Sequence, residues 1–203
     1  LAPETFDMAK MAQMIDAAAA SKPDGLVVSI PDPAALSEPV KNAVAAGIPV
    51  IVIDSGGGKL TKELGGLLYL GQSEYEAGVM AGERIKKLNV TKAVCANHEV
   101  GNVSLDDRCA GFAKGLGVDV PVLNGVMDPT EMKNRIIAYL KTNADTQFVL
   151  TVGIGGAEPG LVALEELGLT GKTKIGTFDL SPTILQATAD GKMEWGIDAQ
   201  QYA

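Results

Sequence analysis

Residues 23–54 read PDGLVVSIPDPAALSEPVKNAVAAGIPVIVID, and the punctuation of this stretch decides the fold. Pro23-Asp24-Gly25 is a stop signal, and Leu26–Ile30 after it is a short apolar run of the kind that parallel sheets bury on both faces. Pro31-Asp32-Pro33 turns the chain into a helix expected near Leu36–Ala46, capped by Gly47. Ile48–Ile53 is a second apolar strand, and it stops at Asp54. A strand, a helix and a strand in this order form a crossover unit with parallel neighbours.

Working outward, the unit recurs in both directions. Upstream, Met8, Met11, Ala12, Ile15 and Ala19 follow a helical stripe. Downstream, Ser55–Gly66 reads as a glycine-rich loop and Leu67–Leu70 as a strand. Ala77, Met80, Ala81, Ile85 and Leu88 stripe a helix over Glu74–Leu88. The pattern predicts strand Lys92–Asn97, a loop over His98–Val103, helix Ser104–Leu116, strand Val118–Val126 and helix Thr130–Lys141. Strand Phe148–Val152, a helix around Gly160–Leu167, strand Lys174–Thr177, helix Pro182–Ala189 and strand Met193–Asp198 complete the series. The expected fold class is α/β, with two doubly wound parallel-sheet lobes. The lobe boundary is expected near Gly71–Glu74. That gives an N-terminal lobe over 1–73, a C-terminal lobe over 74–197, and a crossover back over 198–203.

Composition narrows the function. The 203 residues are 46% hydrophobic and 21% charged, with a net charge of −8, so the surface repels phosphate backbones and nucleic acid is not expected as a partner. No apolar run reaches the roughly 18 residues that cross a bilayer. No basic segment followed by an apolar signal core is present. Cys95 and Cys109 admit three readings: two buried thiols, a disulfide, or a zinc site with His98 and Glu99. A strand end and the helix after it pack together, so the two cysteines are expected within bridging range.

Ligands of open parallel sheets bind beyond the carboxyl ends of the strands. Those positions carry Asp54, Gln72–Glu74, Asn97–Asn102, Gly153–Glu158, Asp179 and Asp198–Gln201, a set rich in carboxylates and amides. Sugar hydroxyls both donate and accept, and such groups meet both needs. Enzyme motifs fail one by one. In GIGGAEPG (Gly153–Gly160) the third glycine of a dinucleotide loop is Glu158, a carboxylate that opposes pyrophosphate. GGGK (Gly56–Lys59) lacks both the first glycine and the hydroxyl of a phosphate loop. There is no G-x-S-x-G elbow, and the pairing of Asp54 with Asp179 for glycoside cleavage has no spacing to support it. No enzyme, cofactor or metal is expected.

The stretches PDGLVVSIPDPAAL, GIPVIVIDSG, GQSEYEAGVMAGE, DDRCAGF and KIGTFDLSP, in this order, resemble the periplasmic sugar-binding proteins of ribose-binding type. These serve ABC importers and share their fold with effector domains of lactose-repressor-type regulators. The resemblance implies a sugar or polyol ligand gripped between two lobes, a membrane permease as partner, and a periplasmic location. An effector domain of a regulator is the alternative. It also implies site residues: Asp54 as the acid after an apolar strand, and Arg108 in R-x-x-G-F as the arginine that reaches the ligand. Asp179 after Phe178 is implied as a C-lobe acid, Glu74 as a polar hinge residue and Gln200 as a cleft glutamine. The resemblance leaves Arg108 wet in an open cleft, so its removal is expected to cost binding and not stability. Ser55 departs from the basic residue of ribose binders, and Gly155–Ala157 lacks their Asn-Asp; both point away from ribose. Beside the family the chain is expected to lack the first strand and the last elements, leaving the N-lobe incomplete.

Overall fold

Strands that alternate apolar residues toward two different helix layers build the larger part of the molecule. The computed structural model describes residue 3 and residues 5–200. It divides into two compact units, one of Leu1–Ser73 with Gly101–Ser104, the other of Glu74–Val100 with Leu105–Ala203. Each has its own parallel sheet, so no single sheet runs through all strands.

The first unit holds α1 (Met8–Ala20), β1 (Leu26–Val28), α2 (Pro33–Ala45), β2 (Val50–Ile53), α3 (Gly57–Glu63) and β3 (Leu68–Leu70). Its sheet order is β1-β2-β3, all parallel. Asp32 caps α2 by accepting from the amides of Ala34 and Ala35. Val28, Val50 and Val52 pack under the helices with Ile15, Leu36, Val40 and Leu64. Val27, Leu68 and Leu70 alternate to the other side and are exposed. The expected glycine-rich loop over Ser55–Gly66 is corrected here, because it contains α3. Leu60 packs on the core, and the Thr61 hydroxyl donates to the carbonyl of Gly57. The glycines sit in its first turn, where they cost the helix least.

The second unit runs α4 (Glu74–Lys86), β4 (Ala93–Asn97), α5 (Val103–Leu116), β5 (Val122–Asn124), α6 (Pro129–Thr142), β6 (Phe148–Thr151), α7 (Ile154–Glu166), β7 (Lys174–Phe178), α8 (Pro182–Ala189) and β8 (Trp195–Ile197). The first two residues of α5 group with the first unit. The sheet order is β5-β4-β6-β7-β8, again parallel throughout. Every residue of β4 and β6 is buried. Cys95, Phe148 and Leu150 join a core with Phe112, Phe178 and Trp195, whereas Val94, Ala96 and Val149 join Met132, Ile136, Leu164 and Ile184. Helices therefore cover both faces, as the doubly wound plan requires.

Three boundaries move from their expected places. The strand predicted over Val118–Val126 shrinks to Val122–Asn124, an edge strand paired only with β4 and entered through Pro121. The helix expected around Gly160–Leu167 begins at Ile154 and runs through Pro159. Its glycines serve packing. A Cβ on Gly160 would lie 2.8 Å from Ile175, and one on Gly155 would lie 2.6 Å from the His98 ring. In the crossover predicted over 198–203, residues 198–200 group with the second unit and 201–203 lie outside the described residues.

Candidate functional site: a buried arginine clamp at the strand ends

Two glycine pairs bring the site helices together. Gly78 and Gly82 on α4 face Gly111 and Gly115 on α5, and a Cβ on any of the four would collide with the opposite backbone. This close approach brings Glu74, at the start of α4, to Arg108 on α5. Arg108 Nε donates to Glu74 Oε2 at 2.6 Å, and Nη2 donates to Oε1 at 3.1 Å. Nη1 donates to the carbonyl of Val152 at 2.6 Å and lies 3.5 Å from Asp179 Oδ2. The guanidinium also stands 4.6 Å from the centroid of the Phe178 ring.

Arg108 is only 6% exposed and Glu74 only 7%, so the pair is a buried ion pair with bidentate geometry. The expectation that Arg108 is a wet cleft residue is corrected by this burial. Asp106 accepts from Asn97 Nδ2, which ties the end of β4 to α5. The cysteines reinforce the same joint. Cys95 and Cys109 form a disulfide with Cα atoms 5.7 Å apart, which settles their three readings and removes the thiolates a zinc site needs. Among the described residues no group of three His, Cys, Asp or Glu could hold a metal ion.

The two strand-end acids share one device. Asp179 follows β7 with φ +66°, and Asp54 follows β2 with φ +61°. Each donates its amide to the last residue of the neighbouring strand, Asp179 to Ile197 at 2.8 Å and Asp54 to Leu70 at 3.0 Å. The carbonyl of Asp54 accepts from the Tyr69 hydroxyl at 2.7 Å. The left-handed backbone turns each carboxylate out of the strand line, a strained conformation that a rigid frame holds. Gln200 shares the positive φ, at +51°, with its amide donating to Asp198 Oδ1 at 2.9 Å and its side chain exposed.

Of the five expected site residues, the structure brings Glu74, Arg108 and Asp179 together in the second unit. Asp54 belongs to the first unit, and Gln200 is anchored to Asp198. Sequence reasoning placed His98 only as a zinc candidate and as one of the strand-end stretch Asn97–Asn102, without a role of its own. It follows β4 directly, is 9% exposed, and lays its ring against Gly153 and Gly155. Burial pushes its pKa below the ordinary histidine value; nearby Glu99 opposes this and Arg108 adds to it. The signal that could have found it is its position: the sole histidine of the chain, at a strand end.

Comparison with known proteins gives the family and the fold. The family model described as "Periplasmic binding protein domain" matches residues 1–203. The xylose/arabinose-binding protein XylF of Sulfolobus acidocaldarius is 27% identical over 98% of this chain. The chain spans about half of that relative's length, 53%. Among solved structures, a carbohydrate transporter from Acidothermus cellulolyticus in complex with myo-inositol superposes with TM-score 0.90 at 34% identity. The match covers 97% of this chain and 68% of that one. A periplasmic sugar-binding protein of an ABC sugar transporter from Legionella pneumophila gives TM-score 0.87 at 23% identity, over 98% and 76% of the two chains, and supports the fold alone.

Proposed function

Because the chain belongs to the periplasmic binding protein domain family, we propose that it is the ligand-gripping part of a solute-binding protein that delivers a sugar or cyclic polyol to the membrane permease of an ABC importer. It binds without catalysis. The observation that carries this reading is the arrangement of Arg108 and Asp179 at the strand ends of the second unit. There a guanidinium donor and a carboxylate acceptor stand 3.5 Å apart, held by Glu74 and by the left-handed turn of Asp179. Adjacent hydroxyls on a ring accept from the one and donate to the other, and such charge-assisted bonds distinguish epimers. Asp54 supplies a second carboxylate acceptor from the first unit, and Gln200 an amide. Glu74 acts through Arg108, since both its oxygens are taken by the guanidinium.

The ligand is a ring polyol such as an inositol or a pentose, with ribose disfavoured by Ser55 and by the Gly155–Ala157 segment, which lacks the Asn-Asp of ribose binders. The myo-inositol bound to the 34%-identical structure supports testing inositols first. The disulfide supports an oxidising compartment, and so an exported binder over a regulator's effector domain. A thermal-shift screen of the full natural protein carrying this sequence tests the reading. Inositols, pentoses, hexoses, amino acids and nucleosides are compared, and a cyclic polyol is expected to give the largest stabilisation. Stabilisation by an amino acid or a nucleoside alone contradicts it.

A further inference from the structure

In the sheet of the second unit, β4 lies between β5 and β6, so successive connections leave it in opposite directions. In open parallel sheets this reversal opens a crevice at the carboxyl ends of the two diverging strands, and ligands settle there. His98 follows β4 and Gly153 lies just beyond β6, so these two residues flank that crevice. A Cβ on Gly153 would lie 2.9 Å from His98 Cε1 and 3.3 Å from Asp179 Oδ2. The imidazole edge and the carboxylate therefore converge on the space that Gly153 leaves empty. Gly155 makes a second such space, with His98 Cδ2 2.6 Å from its would-be Cβ.

Nδ1 of His98 is buried and has no hydrogen-bond partner among the described residues. A buried polar atom without a partner costs stability, and in folded proteins such atoms are few and cluster where function needs them. Burial also keeps the ring neutral near pH 7, with one nitrogen a donor and the other an acceptor. A hydroxyl, which can take either role, complements such a ring. Trp195 Nε1 is also buried without a partner among the described residues, but Trp195 begins β8 and its ring packs in the core against Phe148 and Phe178, whereas His98 stands at a strand end beside the crevice.

We propose that His98 contacts the bound ligand and determines its specificity, offering a ring nitrogen to one polyol hydroxyl beside Asp179 and Arg108. This rests on the polyol-binding reading above. Gly153 and Gly155 are then the residues that make room for the ring.

The test uses the full natural protein and two readouts. His98→Phe keeps a flat ring against Gly153 and Gly155 but removes both nitrogens. The variant is expected to melt at or above the wild-type temperature. It should bind the polyol that most stabilises wild type about fivefold to tenfold more weakly, the scale of one lost neutral hydrogen bond, and should change the ranking among epimers. His98→Asn, which restores a donor and an acceptor on a shorter side chain, is expected to recover part of the selectivity. In the wild type, nitrogen-15 signals of the single histidine within residues 1–203 are expected to shift when the polyol is added. Unchanged affinity and ranking in His98→Phe, with histidine signals that stay put while wild type binds, overturn this proposal alone. Absence of binding by wild type to any polyol overturns the polyol reading and this proposal with it.

Discussion

At the scale of single residues, Arg108 does two things at once. It presents Nη1 near Asp179, and it neutralises Glu74 in a site where both are almost fully buried. Removing one partner of a buried pair strands the other charge, so Arg108→Ala is expected to lower unfolding stability by about 3–5 kcal/mol as well as weaken binding. Urea titration of the unliganded protein measures this; a midpoint equal to wild type contradicts it. The family motif R-x-x-G-F made Arg108 legible in the sequence. Its partner was not, because Glu74 lies 34 positions away and only the helix packing brings the two together. His98 has its own signature in pH. The folded state holds the neutral ring, while the unfolded chain takes up a proton near the ordinary histidine value of 6.5. The unfolded state therefore binds the proton first as pH falls. The stability conferred by the neutral ring is complete above about pH 6.5 and is lost as pH drops through that value toward the depressed folded pKa. Glu99 opposes this effect, Arg108 adds to it, and Asp179 faces the ring across Gly153. Melting temperature is expected to fall between pH 7 and pH 5 more steeply in wild type than in His98→Phe. Equal slopes contradict the assignment.

At the scale of elements, glycine has opposite meanings in different helices, and this is where sequence reading ran out. In α4 and α5 the pairs Gly78 with Gly82 and Gly111 with Gly115 let backbones touch. In α3, Gly58 has open space around its would-be Cβ and a backbone that alanine accepts. Gly111→Ala is thus expected to destabilise by about 1–3 kcal/mol, the usual scale of overpacking. Gly58→Ala is expected to stabilise by roughly 0.4–1 kcal/mol, because it restricts the unfolded chain. Chemical denaturation of the two variants checks both signs, and a stabilised Gly111→Ala contradicts the packing described for α4 and α5. The same ambiguity explains the misplaced start of α7. Gly153, Gly155, Gly156, Pro159 and Gly160 look like a loop by propensity, yet the glycines pack against His98, Ala96 and Ile175, which are distant in sequence. By contrast, the strands were legible because β2, β4 and β6 are mostly apolar runs bounded by turn residues. Their ends moved by a residue or two because pairing, not composition, sets them.

At the scale of the whole molecule, the chain builds two parallel sheets, as expected, and the strand-end acids of both carry the same left-handed turn. That repetition is the strongest sign that Asp54 and Asp179 serve a common chemistry in their separate units. The doubly wound plan was readable from the alternation of strands and helices, and the proposed kind of ligand rests on the polar strand ends. Which groups stand close to which was not, since that depends on strand order, and nothing local in the chain specifies that β4 should lie between β5 and β6. On the proposed reading, strand-end carboxylates grip a cyclic polyol. Calorimetric titration of the full natural protein with myo-inositol, D-xylose and L-arabinose, in wild type and in Asp179→Ala, tests it most directly. One of the three is expected to bind wild type with one-to-one stoichiometry, and Asp179→Ala to weaken it by about tenfold or more, the loss of a charge-assisted hydrogen bond. Binding of equal strength in Asp179→Ala, or heat from none of the three polyols in wild type, contradicts the account.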